Sequence, residues 1–100
     1  MEQRLPIRYT RKALHDIDLM EQYIAAQGYP ETAISYSSRV LTFVENIAFL
    51  PHKNTLCKYP PFARRGFYCA AFEKTFIIAY RVRPDAVEII RIVHGKRLVY

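Results

Sequence analysis

Apolar positions along the chain recur first at helical spacing, in two stretches, and then at strand spacing, in three. From Arg11 to about Gln27, Ala13, Leu14, Ile17, Met20 and Ile24 fall on one helix face. Thr10 stands where an N-cap hydroxyl belongs, and Gly28 where a left-handed residue ends a helix. This phase turns Asp16, Asp18 and Glu21 toward water and leaves His15 on the exposed side. A second stripe of Ala33, Tyr36, Ser37, Val40, Val44, Ile47 and Ala48 runs from Pro30, suited to a first helical position, to Leu50-Pro51. Only Gly28-Tyr29 lies between them, which predicts an antiparallel helical hairpin.

Before the hairpin, Leu5 to Tyr9 alternate as a short strand, with Pro6 tolerable near its start. After it, residues 52–65 show no period and carry Asn54, Pro60 and Pro61, so a surface loop of about a dozen residues is predicted. Three strands follow, at about Gly66 to Phe72, Thr75 to Arg83 and Ala86 to His94, with turns at Glu73-Lys74 and Pro84-Asp85. The expected fold class is α+β: an N-terminal strand, a helical hairpin, then a three-stranded antiparallel meander, in one domain spanning residues 1–100.

Strand alternation assigns faces. Phe76, Ile78, Tyr80 and Val82 point one way, toward the helices, and Ile77, Ala79, Arg81 and Arg83 the other. For the last strand the turn decides. A two-residue turn sets Arg81 opposite Glu88 but brings Arg91 beside Ile78 on the core face. A three-residue turn, Pro84 to Ala86, gathers Arg81, Arg83 and Arg91 on the open face. Burying a cation without a partner is costly, so the odd-length turn is the prediction.

Charge sharpens this picture. The net charge is +6, and residues 51–100 hold ten Lys/Arg against three Asp/Glu, whereas residues 1–50 hold five against six. The strand-bearing half is thus the cationic half, a field suited to phosphates or to an acidic partner segment. Cys57 and Cys69 form no Cys-x-x-Cys arrangement, so reduced, packed thiols are expected and no zinc site is indicated. No apolar run approaches the roughly 20 residues that span a bilayer. A soluble cytoplasmic protein without a cofactor is the expectation.

The segments Ile77 to Val82 and Val87 to Arg97, with Ala13 to Ile17, the Leu50-Pro51 helix end and Arg64 to Tyr68, resemble the RelE/ParE superfamily of bacterial toxins. The likeness covers almost the whole chain and is strongest in the last thirty residues. It implies a small toxin neutralised by a cognate antitoxin, with a basic sheet face suited to an acidic segment that folds on binding. Two activities share the fold. RelE-like members are ribosome-dependent endoribonucleases acting on mRNA. ParE-like members bind DNA gyrase and are not enzymes. The Tyr80-Arg81-Val82 stretch, the last strand and the His94-Gly95-Lys96-Arg97 ending look more ParE-like.

Under the ParE-like reading the target-binding candidates are Arg64, Arg65, Arg81, Arg83, Arg91, His94, Lys96 and Arg97. Under the RelE-like reading His94 is the acid or base and Arg65 and Arg81 clamp phosphate, because 2′-hydroxyl attack needs proton transfer and cations around the phosphorane. Antitoxin-binding candidates are Tyr23, Tyr36 and Phe43, at core or groove-rim spacing, with Arg81 and Arg91. Arg81 has a duller role open to it as well, an ion pair with Asp16 or Glu45 of the helices. Phe62, Phe67 and Tyr68 flank Arg64-Arg65 and read as packing or as a stacking platform. No metal site is expected.

Overall fold

A computed structural model of the chain describes residues 5–28, 30–49, 51 and 53–95. The order of elements is β1 (Ile7–Tyr9), α1 (Arg11–Ala26), α2 (Pro30–Phe49), β2 (Thr55–Leu56), α3 (Pro60–Ala63), β3 (Tyr68–Phe72), β4 (Phe76–Val82) and β5 (Val87–His94). The strands make one sheet in the order β1-β5-β4-β3-β2, antiparallel except that β1 runs parallel to β5.

Local chemistry explains the helix ends. The Thr10 hydroxyl accepts from the Ala13 N–H at 3.1 Å and donates to the Ile90 carbonyl at 2.8 Å, so one side chain caps α1 and fixes it to β5. Gly28 takes φ +93°, the left-handed conformation that ends the helix without a Cβ penalty. Both helices lie on one sheet face. There Val40, Val44 and Ile47 of α2 and Ile17 and Met20 of α1 pack with Ile78, Tyr80, Ile89 and Ile92. Tyr80 is fully buried, and its hydroxyl donates to the Pro51 carbonyl at 2.7 Å and accepts from Asn54 at 3.2 Å. Burial pushes its phenol pKa up.

The predicted face assignment of β4 holds, but three expectations change. The 52–65 segment is more than a loop: it contains the two-residue β2, paired with β3, and the one-turn α3, whose Pro60-Pro61 start suits a helix entry. The expectation of reduced thiols fails, since Cys57 and Cys69 are joined by a disulfide. Asp16 is buried rather than turned to water.

The turn between β4 and β5 is also a correction. It is the two-residue Pro84-Asp85 turn, with Val82 opposite Val87 and Arg81 opposite Glu88. Beyond Tyr80–Ile89 the pairing resumes at Ala79–Arg91 and Ile78–Ile92, leaving Ile90 as one extra residue on β5. That bulge changes the register part-way along the hairpin. The even register holds near the turn, the odd one beyond it, and Arg91 never meets Ile78 on the core face.

Candidate functional site

The arginines among the described residues of the second half fall into two groups. Arg81 of β4 and Arg83, just past its end, meet Glu88 across the hairpin on the face away from the helices. Arg81 donates to the Glu88 carboxylate through Nε at 3.1 Å and through its terminal nitrogen at 2.7 Å, and Arg83 Nε lies 3.6 Å from the same oxygen. The Arg81 hydrogen bonds, with charge from both arginines, hold the Glu88 carboxyl below the ordinary glutamate range. One carboxylate shared by two guanidiniums leaves this pair of strands cationic.

The same face is only partly open. The 53–67 strap crosses it, with Cys57, Phe67 and Ala79 buried as a second small cluster and Phe62, Cys69 and Ile90 at its margin. Arg81 lies over the Phe67 ring, 5.6 Å from its centroid. Gly66, at φ +72°, turns the chain from α3 into β3, and Arg64 and Arg65 stand exposed just before it. Arg64, Arg65, Arg81 and Arg83 therefore belong to one cationic lobe and strand face. Lys58, also exposed, sits at the lobe's other end.

Arg91 does not join them, contrary to the shared open face expected for it. Its guanidinium donates to Asp16 of α1 from Nε at 2.8 Å and from the terminal nitrogen at 3.1 Å, and the Ile92 N–H donates to the same carboxylate at 2.9 Å. These bonds raise the pKa of Arg91 further. A carboxylate from the helices does take an arginine, but it takes Arg91 rather than Arg81. With Arg11, Lys12 and His15, this pair lines a shallow depression of about 330 Å³ at the start of α1.

His94 lies elsewhere again. Its ring meets Phe76 edge-on at 5.4 Å, and Phe76 packs with the helix-side core. A groove of about 290 Å³ opens here between α1 and the end of β5, lined by Leu19, Met20, Tyr23, Phe76 and His94 among others. His94 and Arg81 thus sit on opposite faces, and the five residue steps from Arg81 to Phe76, the partner of His94, separate them by roughly 17 Å along the hairpin. The trio His94, Arg65 and Arg81 does not converge.

Of the aromatic candidates, Tyr23 is 62% exposed at the groove. Tyr36 and Phe43 are half-buried instead, both against Phe72, with Arg39 over the Tyr36 ring. Phe62 and Phe67 pack on each other inside the strap. Lys96 and Arg97 lie outside the described residues. Neither the Asp16–Arg91 pairing nor the Cys57–Cys69 disulfide follows from the sequence pattern, which offers Asp16 as a partner for Arg81 instead.

The sequence profile of the family described as "ParE toxin of type II toxin-antitoxin system, parDE" matches residues 7–99. The chain belongs to the ParE toxin family. It is a ParE-type toxin of a type II toxin-antitoxin system. Solved structures share its fold: a chain described as "Chromosomal ParDE TA system from P. aeruginosa" superposes with a TM-score of 0.78 at 20% identity, covering 91% of this chain and 96% of that one. No curated protein sequence matches significantly. Among the described residues, no helix is long and apolar enough to cross a membrane.

Proposed function

We propose that this ParE toxin binds DNA gyrase through its cationic lobe and strand face and blocks supercoiling without catalysing a reaction of its own. The observation that carries the reading is the separation of His94 from Arg65 and Arg81. RNA cleavage needs a proton-transfer group within hydrogen-bond reach of the clamped phosphate, and these residues stand on opposite sheet faces. A binding role needs only a stable charged surface, which Arg64, Arg65, Arg81 and Arg83 provide.

A cognate antitoxin is the second partner. The apolar groove at Tyr23, flanked along α1 by Arg11, Lys12 and the Arg91 pair, suits a segment with an apolar anchor and acidic residues beside it. Purified toxin added to gyrase should abolish supercoiling of relaxed plasmid, and prior addition of antitoxin should restore it. The Arg64→Glu, Arg65→Glu variant should need at least about tenfold more protein, a loss of ~1.4 kcal/mol. Undisturbed supercoiling together with site-specific cuts in ribosome-bound mRNA would overturn the proposal in favour of a RelE-like endoribonuclease.

A further inference from the structure

The strap between α2 and β3 is held to the sheet by little apolar surface. Its cluster has three buried residues, whereas the main core draws on both long helices and on β3, β4 and β5. Its strand, β2, contributes two residues, both exposed. A covalent bond closes this weakly held element. Cys57 and Cys69, twelve positions apart, are joined, and between them lie Lys58, the whole of α3, Arg64 and Arg65. The bond sits at the base of the lobe, where Thr55 pairs with Cys69 and the Cys57 N–H donates to the Phe67 carbonyl at 2.9 Å.

We propose that Cys57 and Cys69 are a reversible thiol–disulfide site, whose oxidation latches the Arg64–Arg65 lobe to the sheet and whose reduction releases it. The oxidant is a low-molecular-weight disulfide. The Cys69 thiolate attacks one of its sulfurs, forming a mixed disulfide and expelling one small thiolate. The Cys57 thiolate then attacks the Cys69 sulfur and expels the second. Two electrons pass from the protein thiols to the small disulfide, and the two protons they lose end on the two released thiols. A dithiol reductant reverses both steps. Cys69 is partly exposed and takes the first exchange; Cys57, 4% exposed, closes the bond from beneath.

With the bond open, the lobe keeps the short β2–β3 ladder, its three-residue cluster with Phe62, Cys69 and Ile90 at the margin, the Asn54–Tyr80 bond and the Arg81–Phe67 contact, a smaller hold than the main core has, so it opens locally while the helices and the β4–β5 hairpin stay shut. The test uses the full chain, equilibrated in buffers of graded oxidised-to-reduced dithiol ratio. Free thiols are alkylated and counted by intact mass, and amide exchange is followed by peptide in each state. Both cysteines should convert together, and exchange across residues 57–67 should be at least about tenfold faster when reduced, with α1 and β4 unchanged. The Cys57→Ser, Cys69→Ser variant should exchange like the reduced protein in every buffer. Thiols that stay free in the most oxidising buffer, or identical lobe exchange in both states, would overturn the proposal. Neither readout involves gyrase or an antitoxin.

Discussion

Asp16→Ala tests the tie between α1 and the bulged strand. The carboxylate, 7% exposed, accepts two hydrogen bonds from Arg91 and one from the Ile92 N–H. Breaking a fully buried ion pair from one side costs about 3–5 kcal/mol, but the Arg91 side chain is 34% exposed and regains water. Losing the charge-assisted bonds contributes about 1.5–3 kcal/mol, and the backbone N–H left without its acceptor adds about 1 kcal/mol. The expected total is about 2.5–4 kcal/mol, a large share of the roughly 5–15 kcal/mol available to a domain. Urea unfolding of Asp16→Ala, Arg91→Ala and the double variant, followed by far-UV circular dichroism, measures it. The cycle should return a coupling of at least about 1 kcal/mol. A loss under about 0.5 kcal/mol for Asp16→Ala, or single effects that add to within about 0.5 kcal/mol, would refute the reasoning.

Glu88 gives a pH signature. Its carboxyl is held low in the folded chain, so the folded state binds fewer protons than the unfolded one. Its contribution is complete above the ordinary value of 4.5 and disappears as pH falls through the lowered one. The stability difference between wild type and Glu88→Gln should therefore narrow on acidification below that value; a constant difference across the range would contradict the pairing with Arg81. At the β3–β4 turn, Glu73 and Lys74 both take positive φ, 49° and 59°, and Lys74→Gly should raise stability by about 1 kcal/mol in urea titration. Tyr80→Phe removes the donor to the Pro51 carbonyl and should cost about 1–2 kcal/mol, whereas no loss would mean that water already serves that carbonyl.

The hairpin helices were legible because their signals are local: Thr10, Gly28 and Pro30 carry start and stop chemistry, and the apolar stripe sets the buried face. The β4 faces followed from alternation alone. The β4–β5 register did not, because each candidate register satisfied one half of the hairpin, and only an inserted residue reconciles them. Ile90 gave no advance sign, since a bulge here is neither a glycine nor a break in apolar character. Asp16 was misplaced for a related reason. Helical phase turns it toward water, and only the position of β5, distant in sequence, makes it a buried acceptor. The cysteines fit no spacing motif, and what brings them together is the β2–β3 ladder, whose first strand is too short to read.

Because β1 occupies the sheet's border and its ladder is made with residues 87–89, the earliest strand waits for the latest one. At ordinary translation speeds of about 5–20 residues per second, some 4–16 s elapse between synthesis of these two segments. Until then neither the Thr10 bond to Ile90 nor the Asp16 bonds to Arg91 can form, so α1 has α2 to pack on but no sheet. The nascent chain of this toxin therefore closes its sheet only as its last strand is made.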